Sequence, residues 1–87
     1  KSKLVVQSKD ELNNNSEKET ACLVIKSQPR GPGVIIQMPE EPMEYAKKIY
    51  AAIREADATN PRVIFVETPP HTLEWEAIHD RLCRASA

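Results

Sequence analysis

The sequence is poor in several features that define large classes of proteins. It has two glycines and two cysteines in 87 residues, and aromatic residues make up 5 % of it. No apolar run approaches the roughly 18 residues that a membrane-spanning helix needs, and no basic segment followed by an apolar one indicates a signal peptide. Two cysteines are too few for a disulfide-stabilised scaffold. These absences favour a cytoplasmic protein over a membrane-bound or secreted one.

Recognisable motifs for nucleotides, metals and nucleic acids are also missing. The segment Arg30–Gly33 lacks the Lys-Ser/Thr pair of a phosphate-binding loop, and two glycines are too few for a dinucleotide fingerprint. His71, His79 and the cysteines do not have the spacing of zinc ligands. The net charge of −1 disfavours contact with tRNA, since nucleic-acid binders usually carry a basic excess. We therefore expect no metal ion and no cofactor in this chain.

Apolar residues occur in short blocks that indicate alternating strands and helices. A Ser8-capped helical turn follows the first block, and the segment Asn13–Glu19 is predicted to be an exposed loop. The two glycines in the Gly- and Pro-rich segment 28–33 are predicted to allow positive φ there. The predicted strands are Leu4–Val6, Ala21–Ile25, Val34–Ile36 and Val63–Val66, and the predicted long helices are Pro42–Ala58 and Thr72–Ala85.

This order of elements predicts an α/β fold. The strand–helix–strand connection between Val34–Ile36 and Val63–Val66 predicts a parallel pair joined by a right-handed crossover. Residues 1–87 are therefore expected to form a single small, Rossmann-like, three-layer domain with a mostly parallel sheet of about four strands. Trp75 is predicted to pack the last helix on the sheet. The predicted buried face of the longer helix comprises Ala46, Ile49, Tyr50, Ile53 and Ala56.

Polar residues follow two of the predicted strands and mark a candidate site. Ligands of open parallel sheets bind beyond the carboxyl ends of the strands. The candidate ligand or interdomain edge is therefore Lys26, Ser27, Arg30, Glu67 and Thr68. The alternative is that these side chains only satisfy the backbone of the loops. No catalytic residue is predicted.

Three segments in the second half carry a family resemblance. They are Tyr45–Asp57, Val63–Glu67 and Trp75–Ala85, and together they resemble the C-terminal accessory domain of long-form threonylcarbamoyl-AMP synthases. That family pattern has a helix of the form Tyr-Ala-x-x-Leu-Tyr-x-x-Leu-Arg-x-x-Asp, a strand ending in Val-Glu, and a closing helix with Ala-Ile-x-x-Arg-Leu. The informative positions in register are Tyr45, Tyr50, Arg54, Asp57, Glu67, Arg81 and Leu82.

The resemblance implies a role beside a catalytic domain. The family's YrdC-like nucleotidyltransferase domain uses ATP and Mg to make threonylcarbamoyl-AMP for tRNA modification, and that domain is absent from this chain. We therefore expect an accessory or regulatory domain that docks on the catalytic domain of the same protein, is not catalytic alone, and contributes to self-association. The alternative is a free-standing small α/β module that binds a ligand or regulates a partner.

Overall fold

Four short parallel strands form one sheet in the computed structural model, which describes residues 3–14, 18–29, 31 and 33–86. The strands are β1 (Lys3–Gln7), β2 (Thr20–Val24), β3 (Val34–Gln37) and β4 (Val63–Glu67). Their order in the sheet is β1-β4-β2-β3, and every pair is parallel. The predicted α/β class with a parallel sheet of four strands is confirmed.

The strand order differs from the predicted direct pairing of the third and fourth strands. β2 lies between them, so the crossover from β3 passes over one strand before it enters the sheet as β4. The reason is burial. β2 and β4 are the strands with near-continuous apolar runs, and such strands are stable at the centre of a sheet, where both faces are covered.

Three helices cover the two faces of the sheet. Short α1 (Lys9–Asn13) covers one face, and α2 (Pro42–Asp57) and α3 (Glu76–Ser86) cover the other. On the α1 side, Leu12 packs with Cys22, Val24 and Phe65. The side of α2 and α3 carries the larger core cluster. Each face of the sheet thus has its own apolar core.

The ends of the helices follow the local chemistry of the sequence. Ser8 caps α1 as predicted: its Oγ accepts from Glu11 N at 3.2 Å, and the Glu11 carboxylate accepts from Ser8 N at 3.0 Å. Pro42 occupies the first turn of α2. Asn60, with φ of 56°, reverses the chain after α2 in the left-handed conformation that asparagine tolerates. The last helix begins with a 3-10 turn at Leu73–Trp75, and Thr72 makes no side-chain cap bond there.

The buried face of α2 is rotated from the predicted one. Tyr45, Ile49, Ala52 and Ala56 are buried, whereas Tyr50 is 55 % exposed. The spacing of apolar residues on this helix fits two adjacent faces that share Ile49 and Ala56, and the one packed against the sheet contains Tyr45 and Ala52. Trp75 is buried as predicted, and its ring meets Tyr45 edge to face, with centroids 5.2 Å apart.

The glycines of segment 28–33 have a different role from the predicted one. Among the described residues no glycine has positive φ. Instead, a Cβ on Gly33 would lie 2.8 Å from the backbone oxygen of Lys18. Glycine is required there because two backbone segments approach closely.

Candidate functional site

The carboxyl edge of the sheet is organised around one buried carboxylate, that of Glu67. The side chain of Glu67 is at the end of β4 and is 5 % exposed. Its Oε1 accepts from the backbone N–H groups of Ile25 at 2.8 Å, Lys26 at 2.9 Å and Ser27 at 2.8 Å. Ser27 Oγ donates to the same oxygen at 2.6 Å. The predicted neighbourhood of Lys26, Ser27 and Glu67 is therefore present.

These contacts decide the charge state of Glu67. Burial raises the pKa of the carboxyl group, because it disfavours the charged form. The hydrogen bonds from Ser27 Oγ and from the three backbone N–H groups favour the charged form and outweigh burial, so the pKa of Glu67 lies below its ordinary value. Glu67 is consequently an ionised carboxylate at neutral pH.

The hydroxyl of Tyr45 lies within the electrostatic influence of Glu67. Tyr45 is 0 % exposed, and its hydroxyl has no hydrogen-bond partner in the part of the chain that the structure describes. Burial raises the pKa of Tyr45, and the negative charge of Glu67 raises it further. The Tyr45 hydroxyl therefore stays protonated, and its O–H is a buried donor without a partner among the described residues.

The structure gives the other predicted site residues different roles. Thr68 follows β4 and bonds to the end of β1. Its backbone N–H and its Oγ1 both donate to Gln7 O, at 2.8 and 2.9 Å respectively. Lys26 joins the cluster through its backbone only, since its exposed Nζ lies 3.6 Å from Glu40 Oε1. Arg30 lies outside the described residues.

Sequence reasoning missed one polar residue of this edge, Gln37. Its Nε2 donates to the carbonyl oxygens of Val24 at 3.2 Å and Ile25 at 2.8 Å. The available signal was its position after the apolar run of β3, the same position that Glu67 has after β4. The two strands beside β2 thus both bond to its carboxyl end. Gln37 of β3 binds the carbonyl groups there, and Glu67 of β4 binds the N–H groups.

The arrangement fixes the backbone of the β2–β3 connection. The hydrogen bonds of Glu67 Oε1 are all internal, and its cluster is shielded from solvent. The Glu67 side chain satisfies backbone N–H groups of the loop, as in the alternative named above, whereas the Ser27 and Thr68 side chains bond to Glu67 and to Gln7 O of β1. A ligand at this edge stays a prediction.

A second concave site lies at the opposite, amino edge of the sheet, between α2 and α3. It is a pocket of about 340 Å³. The paired residues Leu4 and Ile64 of β1 and β4 contribute to its lining. The remaining lining residues come from the last turns of the two helices and are Tyr50, Ile53, Arg54, Asp57 and Ala85. An apolar surface with a few polar groups at its margin is typical of binding sites.

The two histidines form a third, shallower feature beside α3. The rings of His71 and His79 are stacked with centroids 4.6 Å apart, and His79 Nε2 lies 2.9 Å from Pro70 O. Within the described residues no group of three or more potential ligands has the geometry to hold a metal ion. Every helix of the described residues is too short or too polar to cross a membrane.

Comparison with known proteins identifies the family. The family model for the threonylcarbamoyl-AMP synthase C-terminal domain matches residues 1–87. A comparison with curated proteins gave no match, and neither did a comparison with solved structures. The match covers residues 1–87, which include the three segments that carry the resemblance described above. The chain belongs to the threonylcarbamoyl-AMP synthase C-terminal domain family.

Proposed function

We propose that this chain is a non-catalytic accessory domain that docks on the YrdC-like catalytic domain of its synthase, in the pathway of tRNA threonylcarbamoyl modification. In this proposal ATP and Mg bind to the catalytic domain. The accessory domain supports the segment that joins the two domains, so that this segment can close over the nucleotide. The docking surface is the pocket at the amino edge of the sheet, defined above.

The observation that carries this proposal is the exposure of Tyr50 at that pocket. Tyr50 is 55 % exposed on α2, although the helix has enough apolar residues to pack on the sheet without it. Large aromatic side chains and arginines are the residue types that anchor protein interfaces, and Arg54 lies one turn beyond Tyr50 in the same lining. These positions are part of the family pattern, yet the core of the domain does not require them.

The place where β1 begins also supports this surface. Leu4, the second residue of β1, lines the pocket. The amino end of β1 therefore lies at the same pocket as Tyr50 and Arg54. An interdomain segment attached there would contact the pocket over a short distance, with little loss of chain entropy.

The carboxyl edge supports the non-catalytic part of the proposal. A general base or nucleophile must reach a substrate atom with its own polar atoms. The buried carboxylate Glu67 uses Oε1 for four internal hydrogen bonds. The sequence predicted no catalytic residue at this edge.

The first experiment separates accessory from catalytic function. The purified 87-residue chain is incubated with ATP, Mg, threonine and bicarbonate, and pyrophosphate release is compared with that of the intact synthase. We expect release from the intact synthase only. Threonine- and bicarbonate-dependent release by the 87-residue chain would overturn the proposal.

The second experiment tests the docking surface with a matched pair of variants. Tyr50→Ala removes the exposed aromatic ring of the pocket, and Met43→Ala removes an exposed apolar side chain two turns away on the same helix, outside the pocket. Affinity for the separately purified catalytic domain is measured by calorimetry. We expect Tyr50→Ala to weaken binding about tenfold or more and Met43→Ala to leave it unchanged.

Two results would contradict the docking surface. One is equal binding by both variants, and the other is absence of binding by the unmodified chain. Saturable binding of ATP by the 87-residue chain in the same calorimeter would instead support the alternative of a free-standing ligand-binding module.

A further inference from the structure

Three consecutive backbone N–H groups at the end of β2 point to a single position. The N–H groups of Ile25, Lys26 and Ser27 lie 2.8, 2.9 and 2.8 Å from Glu67 Oε1, and Ser27 Oγ lies 2.6 Å from it. Successive backbone N–H groups that converge in this way form a nest, a concavity that binds anionic oxygens. Here the nest lies at the carboxyl edge of a central parallel strand, where ligands of such sheets bind.

Most of the nest is shielded from water. Ile25 is 8 % exposed, Ser27 4 % and Glu67 5 %, whereas Lys26 is exposed and its N–H is part-buried. Water therefore has little access to the N–H groups of Ile25 and Ser27, and loss of the carboxylate would leave them without an acceptor. A buried donor without a partner is costly, so the empty nest would bind a replacement anion.

We propose that Ile25–Ser27 form an anion-binding nest and that the Glu67 carboxylate is its tethered occupant, which a small free carboxylate can replace. The ligand class follows from the present occupant: one carboxylate oxygen fits the donors, so formate and acetate have the right chemistry and size. While the Glu67 carboxylate occupies the nest, the three N–H groups of the nest do not bind other anions. This inference is independent of the docking function proposed above.

The experiment is chemical rescue of Glu67→Ala in the 87-residue chain. Unfolding temperatures are measured by circular dichroism in increasing sodium formate or sodium acetate, with sodium chloride at equal ionic strength as the reference. We expect the variant to unfold at a lower temperature than wild type in chloride. Formate should then raise its unfolding temperature in a saturable manner by about 4 °C or more relative to chloride, because a ligand of the folded state stabilises it.

Glu67→Gln is the matched control, because its amide has the size of the carboxylate and fills the nest. Neither Glu67→Gln nor wild type should respond to formate beyond the response to chloride. A folded Glu67→Ala chain with equal responses to formate, acetate and chloride would overturn the proposal. So would an equal formate response in Glu67→Gln.

If Glu67→Ala does not fold, a measurement on wild type tests whether the three N–H groups share the Glu67 carboxylate as their acceptor. The amide proton resonances of Ile25, Lys26 and Ser27 are followed by NMR as the pH is lowered. Because the three N–H groups share one acceptor, their resonances should move together with one midpoint, and that midpoint should be missing in Glu67→Gln. Independent movement, or the same midpoint in Glu67→Gln, would overturn the nest.

Discussion

Replacing Glu67 with glutamine removes one negative charge and little volume from the carboxyl edge of the sheet. The carboxylate oxygen receives four hydrogen bonds. Hydrogen bonds to a charged group contribute about 1.5–3 kcal/mol each, and neutral ones about 0.5–1.5 kcal/mol. A glutamine oxygen has as many lone pairs as one carboxylate oxygen but lacks its negative charge, so all four bonds become neutral ones. At about 1–1.5 kcal/mol per bond the upper limit is about 4–6 kcal/mol. Because contributions within one network are not additive, we expect a loss of about 2–4 kcal/mol.

That loss is large for this chain. Domains have about 0.05–0.15 kcal/mol of stability per residue, which gives about 4–13 kcal/mol for 87 residues. Urea unfolding at pH 7 provides the assay. Trp75, the one tryptophan in the sequence, reports unfolding by fluorescence, since it is buried against Tyr45. Glu74→Gln, which neutralises an exposed carboxylate in the 3-10 turn, is the control and should change stability by less than about 0.5 kcal/mol.

The pH dependence gives a second, independent check on the same variant. The folded pKa of Glu67 is below its ordinary value, so its contribution is complete above the unfolded pKa of about 4.3. It is lost as the pH falls through the folded pKa. The stability difference between wild type and Glu67→Gln should therefore be constant from pH 7 to about pH 5 and shrink below about pH 4.3. A variant as stable as wild type at pH 7, or a difference that persists unchanged in acid, would refute the reasoning.

Three further substitutions test the packing of the domain. Tyr45→Phe removes a buried hydroxyl without a partner and should stabilise the chain by about 1 kcal/mol, measured by urea unfolding; a loss of stability would contradict this. Trp75→Ala removes a ring that is 4 % exposed and should cost about 3–5 kcal/mol, measured by circular dichroism because the fluorophore is lost; a cost below about 1 kcal/mol would contradict the burial. Gly33→Ala places a Cβ 2.8 Å from Lys18 O and should cost about 1–3 kcal/mol; an unchanged unfolding temperature would show that the close approach is absent.

Local chemistry was enough to predict the elements and several residues of the carboxyl edge, although not Gln37. Apolar runs placed all four strands within one or two residues, and Ser8 correctly marked the start of α1. Glu67, Lys26 and Ser27 were predicted to meet because parallel strands end on the same side of a sheet. What a sequence pattern does not contain is which strand lies beside which, and so the direct pairing predicted for β3 and β4 was wrong.

The exchange of Tyr45 and Tyr50 shows a second limit. Both tyrosines lie within an apolar pattern on α2, and a rotation of the helix by a fraction of a turn brings either one to the sheet. Which tyrosine is buried depends on the surface that the helix packs against. The ring of Tyr45 packs on that of Trp75, from the 3-10 turn before α3, with centroids 5.2 Å apart. Tyr50 is left at the surface, where it lines the pocket. Tyr50, the candidate docking residue, was therefore wrongly predicted to lie in the core. Periodicity identifies the apolar faces of a helix but does not show which of them packs against the sheet.

The role of Glu67 follows from the backbone after β2, which is not helical over the described residues 25–29, 31 and 33. In a parallel sheet the connection between neighbouring strands usually contains a helix, whose backbone groups satisfy one another. The connection after β2 contains Pro29, Gly31, Pro32 and Gly33, and proline and glycine in a helix interior disfavour a helix. Its first N–H groups therefore need an acceptor from elsewhere, and the end of the adjacent strand β4 supplies one. A carboxylate suits this position better than an amide, because one charged oxygen accepts several donors strongly.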